Sequence, residues 1–422
     1  MTSALLSPPG RILIALLAGL CLGILASAYG AESWTGPALT AGETVGGLWL
    51  DSLRMTIVPL LVSLLVTGIA TNAEAARAGG ITARAVGMIA VCLFLSALLS
   101  AILIPSLLSI FPLGRESAEA LRTALGQTEP PAGDTPGVAQ FLRSIVPTNP
   151  VAAAAQDMIL PLIVFTAVFG FAVTRLPDAP RQLLTGFFAA VVEAMLVIIN
   201  WVLWLAPLGV FALAFVVGGR AGAGAFGALV HYVLIVSSVG VVIWLLGFVV
   251  GSVLGKRTLA DFARAAAPSQ AVAISTQSSL ASLPSMLRGA ERLGVPVSAG
   301  GVVLPLAVAI FRATGPAMNL AVALYVAHWA GVELTAQYAA GIATATVTTL
   351  GAVSLPGQVS FVTSIAPICA AMGVPIELLG ILIAVETIPD IFRTLGNVSM
   401  DLAVTATVTR GSGPDPGLTG PL

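Results

Sequence analysis

The chain has 422 residues, 57% of them hydrophobic and only 9% charged, with a net charge of −1. Its 18 basic and 19 acidic side chains are too few to cover the roughly three soluble domains this length would form at ~150 residues each, and the mean hydropathy of +1.02 identifies a polytopic helical membrane protein. Continuous rather than alternating apolar runs exclude a β-barrel, and the composition excludes disorder, collagen, nucleic-acid binding and a disulfide scaffold.

In chain order, residues 12–29 follow Arg11 and are long enough to span. Ala26-Ser27-Ala28 resembles a signal-peptidase site, but the spans that follow favour a retained first helix. Further helices are expected over 46–71, 85–112, 158–174, 182–218, 226–255, 296–330 and 374–409. Two other stretches, 258–293 and 335–370, are interrupted by ISTQSSLASLP (274–284) and TVTTLGAVSLPGQVS (346–360). Each follows one long apolar stretch and precedes another, the pattern of re-entrant hairpins in a transporter-type repeat. The expected fold is therefore all-α, with eight transmembrane helices plus two re-entrant hairpins. Cys21, Cys92 and Cys369 lie far apart in apolar runs and read as packing residues. His231 and His328 read as interfacial or packed.

With the N-terminus inside, eleven of the basic residues fall on inner loops. Four (Arg115, Arg122, Arg143 and Arg220) fall outside, in keeping with the positive-inside rule. Arg54, Arg312 and Arg393 are left in or near spans.

Ionisable groups at membrane depth cost roughly 2.5–3.5 kcal/mol each on insertion scales and mark functional sites. In the last helix (384–406), Glu386, Asp390, Arg393, Thr394, Asn397 and Asp401 are spaced to share one face. Pro389 is expected to open the backbone beside Asp390. Arg312 lies mid-span before Thr314-Gly315-Pro316, where the helix is expected to unwind and its freed carbonyls and amides to hold an ion or solute. The hairpin tips carry Ser278, Ser279 and Ser282 before Leu283-Pro284, and Ser354-Leu355-Pro356-Gly357. Helix N-termini at such tips attract carboxylates.

These motifs resemble the dicarboxylate/amino acid:cation symporter family, which includes the glutamate and aspartate transporters. The resemblance covers about residues 11–410 and rests on IVPTNP (145–150), APLGVFAL (206–213), SSLASLP (278–284), LPGQ (355–358) and DIFRTLGNVSMD (390–401). It implies that Asp390 contacts a substrate amino group and Arg393 a side-chain carboxylate. Ser278, Ser279, Thr314, Leu355, Pro356, Gly357, Thr394 and Asn397 would complete the substrate site. Asn397 and Asp401 would hold sodium, the only cofactor-like ion expected. It further implies a homotrimer in the inner (plasma) membrane with a cytoplasmic N-terminus, working on a small anionic solute and without nucleic acid. The implied parts are scaffold helices 1–2 (1–76), helix 3 of the transport domain (77–115), an extracellular loop (116–144), and scaffold helices 4–5 (145–222). The rest of the transport domain (223–410) and a tail (411–422) follow.

The departures are as informative. The family's Asn-Met-Asp-Gly-Thr falls at Phe311-Arg312-Ala313-Thr314-Gly315, so two oxygen ligands are lost and an arginine is gained. Leu93 and Ser96 stand where relatives carry Tyr and Thr, and Leu280 and Ala281 replace Ser and Gly at the first tip. The expected function is import of an acidic amino acid or C4-dicarboxylate by a non-enzymatic symporter with reduced sodium coupling, in which Arg312 and Glu386 take part in coupling. The rivals are a neutral amino acid or proton-coupled transporter of this fold, an anion channel, and an intramembrane protease. The protease lacks the nucleophile motifs and any histidine near the tips.

Overall fold

The computed structural model describes residues 8–77, 80–114, 146–156, 158–222, 224–332, 334, 337–351, 357–376 and 378–410. No strand occurs among them. The helices are α1 (Pro8–Tyr29), α2 (Glu32–Arg54), α3 (Ile57–Arg77), α4 (Gly80–Ile110), α5 (Pro150–Ala155), α6 (Ile159–Val173), α7 (Asp178–Trp204) and α8 (Ala206–Ala221). There follow α9 (Gly224–Val253), α10 (Leu259–Thr276), α11 (Ser279–Arg292), α12 (Val297–Ile310), α13 (Thr314–Ala330), α14 (Gln337–Gly351), α15 (Gly357–Met372), α16 (Leu379–Leu382) and α17 (Thr387–Val408).

Among the described residues, six helical stretches are long and apolar enough to cross a membrane: Arg11–Tyr29, Ser33–Thr71, Gly80–Ile110, Asp178–Trp204, Phe226–Val253 and Val297–Ala330. Shorter apolar helices lie at Ile159–Val173, Ala206–Arg220 and Phe361–Met372. Both interrupted stretches fold as helix pairs, α10 against α11 and α14 against α15. The second span starts 14 residues earlier than expected, at Glu32, and several long helices are split.

Proline placement accounts for much of the splitting. Pro59, Pro161, Pro316 and Pro389 are each the third residue of a helix, and Pro207 is the second of α8. There the missing N–H would lack an intrahelical partner anyway, while the ring obstructs the turn before it. Proline alone is insufficient, because Pro37, Pro105, Pro268, Pro284, Pro305 and Pro367 are carried inside helices.

One end of the fold is built on close backbone contact. Gly19 and Gly23 of α1 face α8, where a Cβ on Gly23 would sit 2.2 Å from the Phe215 carbonyl oxygen and 2.7 Å from Gly219 N. Small residues four apart allow such helix contact in lipid, where packing rather than the hydrophobic effect drives association. Gly23→Leu is therefore expected to separate the pair. Overpacking costs ~1–3 kcal/mol or more, read as a lowered melting temperature and loss of the monodisperse peak in detergent. An unchanged melt would refute the close packing.

The largest apolar core joins α1, α4, α9, α13, α15 and α16. A second core holds the α10–α11 hairpin on α12 and α17 through Phe262, Met286, Leu304, Val398 and Leu402. The polar face of α17 lies between these two bodies.

Candidate solute and ion site

The chain unwinds where α12 ends. Phe311 is extended (φ −99°, ψ 100°), and α13 restarts at Thr314 with no side-chain cap from Ala313. The cap comes instead from α17: Thr314 N–H donates to Asn397 Oδ1 at 2.9 Å, and the Thr314 hydroxyl lies 2.8 Å from the same oxygen and 3.0 Å from the Arg393 carbonyl. Gly396 permits this approach, since a Cβ there would lie 2.4 Å from Thr314 Cγ2. The break falls at Phe311–Ala313, just before Thr314-Gly315-Pro316, which were expected to unwind and instead form the first turn of α13; it is stabilised across helices.

The second break lies elsewhere than expected. Before α17 the chain tightens into i→i−3 bonds, Ala384 to Ile381 and Val385 to Leu382, both 3.1 Å. Glu386 thus sits in the turn that leads into α17, not on a continuous helix. Pro389 does not open the backbone beside Asp390, because Asp390 N–H donates to Glu386 O at 2.8 Å. As third residue of the helix, proline gives up no intrahelical bond, and the irregularity falls one turn earlier.

Arg393 is the centre of the charged face. Its Nη2 donates to Glu386 Oε1 at 2.6 Å, Nη1 donates to Asn319 Oδ1 at 2.7 Å, and Nε lies 3.4 Å from Asp390 Oδ1. Tyr232 of α9 donates its hydroxyl to Glu386 Oε2 at 3.3 Å. Glu386 is 2% exposed and Asp390 8%. Arg312, half-buried at the break, interacts electrostatically with Asp390, Asp401 and Arg393. Three buried carboxylates thus share two guanidiniums. Unpaired, each charge would be strongly unfavourable at this depth.

Asp401 is fully buried, and neither carboxylate oxygen has a hydrogen-bond partner. Such an orphaned anionic acceptor suits a cation held by oxygen ligands. Asn397, expected beside it as a ligand, already has its side-chain oxygen engaged by Thr314. Among the described residues no three His, Cys, Asp or Glu side chains form a metal cluster. At the other substituted positions, Leu93 is buried and the Ser96 hydroxyl turns back to the Leu93 carbonyl at 3.0 Å. Phe311 and Ala313 are buried without side-chain oxygens.

The remaining expected residues divide. Thr394 lies on the charged face, but its hydroxyl donates to the Asp390 carbonyl at 2.9 Å. Ser278 caps α11, accepting from Ala281 N–H at 3.2 Å, and Ser279 opens that helix. Gln277, at the same tip in the left-handed region (φ 51°), donates its amide to the Thr387 carbonyl at 3.3 Å and ties the tip to the start of α17. Gly357 begins α15, while Ser354, Leu355 and Pro356 lie outside the described residues.

Asn319, Tyr232 and Gln277 were missed by sequence reasoning. A lone amide in the apolar run of α13 was the available signal for Asn319. Tyr232 carries no pattern beyond its aromatic character. His231 is packed as expected: Nε2 meets the Phe111 carbonyl at 2.8 Å, and Nδ1 pairs with the Tyr325 hydroxyl.

Buried charges arranged around two helix breaks and a hairpin tip, within a bundle of spanning helices, define a multi-pass membrane protein of the transporter class. The profile of the sodium:dicarboxylate symporter family matches residues 9–410, and the chain belongs to that family. It is 29% identical to the proton/glutamate-aspartate symporter of Escherichia coli (strain K12) over 405 residues, covering 92% of this chain and 89% of that one. It is 26% identical to the proton/sodium-glutamate symport protein of Bacillus subtilis (strain 168), covering 96% and 92%. It is 23% identical to the C4-dicarboxylate transport protein of Laribacter hongkongensis (strain HLHK9), covering 95% and 88%. These relatives are transporters, not enzymes.

Proposed function

We propose that this protein is a secondary active symporter that imports a small anionic solute, an acidic amino acid or a C4-dicarboxylate, by alternating access with reduced sodium coupling. The observation that carries the reading is the Arg393 guanidinium, held by Glu386, Asn319 and Asp390 at the junction of α13 and α17. A planar fork of donors that stays charged at membrane depth is suited to a carboxylate. Relatives named for glutamate, aspartate and C4-dicarboxylates support the substrate class. In this reading Arg393 takes the side-chain carboxylate and Asp390 an amino group, with Thr314, Thr394, Asn397 and the two hairpin tips around them. Eight spans and two re-entrant hairpins would divide into a scaffold and a moving transport domain, in a trimer in the inner membrane with its N-terminus in the cytoplasm. The second tip, around Leu355-Pro356-Gly357, would be the outer gate.

Reduced sodium coupling rests on Phe311, Arg312 and Ala313. Two ligand oxygens are absent, and the added guanidinium lies in the electrostatic field of Asp390 and Asp401. The sodium site supported by the residues is Asp401. Reconstituted protein tested for uptake of L-glutamate, L-aspartate, succinate and L-alanine, with and without sodium and a pH gradient, decides the reading. Saturable, gradient-driven uptake of an acidic solute with at most a one-ion sodium dependence is expected. Steep multi-ion dependence contradicts the coupling, and non-saturable flux would indicate a channel. A ligand present at ~100 times its dissociation constant stabilises the folded protein by about 2.7 kcal/mol. Any sodium-induced rise in melting temperature should disappear in Asp401→Asn. Its persistence would place sodium elsewhere.

A further inference from the structure

Basic side chains are unevenly spread along the chain. Segments 253–298 and 402–410 hold six of them (Lys256, Arg257, Arg264, Arg288, Arg292 and Arg410) against two acids, Asp261 and Glu291, in a chain whose net charge is −1. Packing gathers them at one end of the bundle. Arg410 Nη1 donates to the Leu254 carbonyl at 3.4 Å, which ties the end of α17 to the end of α9, beside Lys256. Arg257 lies against the turn between α11 and α12, its Nη1 and Nη2 each 3.6 Å from where a Cβ on Gly294 would be. Gly289 lets α10 and α11 meet, since a Cβ there would lie 2.6 Å from the Ala265 carbonyl oxygen. Arg264 and Arg288 are the sequence neighbours of these two contacting residues.

Little of this charge is compensated. Asp261 accepts from the Thr258 hydroxyl at 2.6 Å and from Arg264 Nη1 at 3.2 Å. Among the described residues, the side chains of Lys256, Arg257, Arg288 and Arg292 have neither a hydrogen bond nor an ion pair. Arg257 Nε is buried and has no acceptor. Arg288 and Arg292 stand four apart at the end of α11, where like charges destabilise each other. By contrast, Arg54, Arg181 and Arg220 each have an acid partner, in Asp51, Asp178 and Glu43. The positive-inside rule places basic residues on this side of the membrane. It accounts neither for their gathering at one end of a single helical body nor for a buried guanidinium nitrogen without an acceptor. Val253, Leu254, Leu259 and Val297 are exposed beside the same turns. Apolar and cationic surface thus adjoin, as they do where a protein meets charged headgroups at the edge of the acyl region.

We propose that this end of the molecule is a binding surface for anionic phospholipid, with the headgroup phosphate on Arg257 and its charge shared with Lys256, Arg288 and Arg292. A guanidinium fork matches phosphate oxygens, and the exposed leucines and valines adjoin the acyl chains. Arg257 packs on the turn that ends the α10–α11 hairpin, and the tip of that hairpin is tied to the start of α17 through Gln277. The bound headgroup therefore braces the base of a hairpin whose tip borders the candidate solute site. The surface recognises negative charge at the bilayer, so it holds whichever solute the protein carries.

The test uses full-length protein in detergent, with phosphatidylglycerol, phosphatidylcholine and inorganic phosphate as probes. Wild-type protein should retain phosphatidylglycerol over phosphatidylcholine in native mass spectrometry. Its melting temperature should rise with phosphatidylglycerol and not with phosphatidylcholine or phosphate. The triple variant Arg257→Gln, Arg288→Gln, Arg292→Gln should lose up to ~100-fold of that preference, at about fivefold for each basic residue beside an anionic surface. Arg175→Gln with Arg181→Gln, which neutralises the turn between α6 and α7, should keep the preference. Equal retention of the two lipids by wild-type protein would overturn the proposal, as would an undiminished preference in the triple variant. An equal loss in the Arg175–Arg181 control would show that total charge rather than this surface selects the lipid. Equal stabilisation by inorganic phosphate would show a soluble-anion site instead. Where the triple variant fails to fold, Arg257→Gln alone decides: a loss of about fivefold supports the assignment and no loss refutes it.

Discussion

Arg393→Met is expected to abolish binding of acidic solutes. Truncating one partner of a buried, hydrogen-bonded charge pair typically costs ~2–5 kcal/mol, or about 30- to several thousand-fold in affinity. The same change leaves Glu386 and Asp390 buried without their cation, which destabilises by ~3–5 kcal/mol. A lower melting temperature must therefore be separated from lost recognition. Arg393→Met with Glu386→Gln removes one stranded charge and should regain thermal stability while still failing to bind L-aspartate or succinate. Arg393→Lys keeps the charge but loses the fork that spans Glu386 and Asn319, so intermediate affinity is expected. Equilibrium binding on folded, monodisperse protein checks all three. Unchanged affinity in Arg393→Met would remove this residue from the site.

The second large effect is expected from Arg312→Met. At an effective dielectric of ~20, unit charges ~6 Å apart interact by about 3 kcal/mol. Losing a guanidinium that acts on Asp390 and Asp401 should thus weaken anion binding by up to ~100-fold. Sodium should not rescue the variant, because Phe311 and Ala313 still offer no oxygen ligands. Arg312→Lys should retain most of the affinity, since a fixed positive charge rather than a fork is what this position supplies. Full rescue of Arg312→Met by sodium would show that the cation ligands lie elsewhere.

Much of the architecture was legible before any coordinates. Apolar runs located the six helical stretches long enough to cross a membrane, though not all their bounds, and Ser/Gly/Pro interruptions located both helix pairs. The spacing of Asp390, Arg393, Asn397 and Asp401 placed them on one face of α17. Proline position was legible only in part. Pro316 and Pro389 follow helix breaks, whereas Pro305 and Pro367 are carried within helices, because neighbouring groups rather than the ring alone decide whether backbone bonds are given up.

Sequence alone therefore determined the class of protein, the charged face of α17 and the substitutions at Phe311, Arg312 and Ala313, since composition, periodicity and motif are local properties. Only the tertiary structure decided the partners. Asn397 caps α13 across 83 residues, Asn319 and Tyr232 enter the charged cluster from other helices, and Glu386 occupies Arg393 from a turn. Buried polar groups must find partners wherever packing brings them, and no spacing along the chain encodes which distant side chain that will be. Packing likewise, and not spacing along the chain, leaves Asp401 buried with neither carboxylate oxygen hydrogen-bonded.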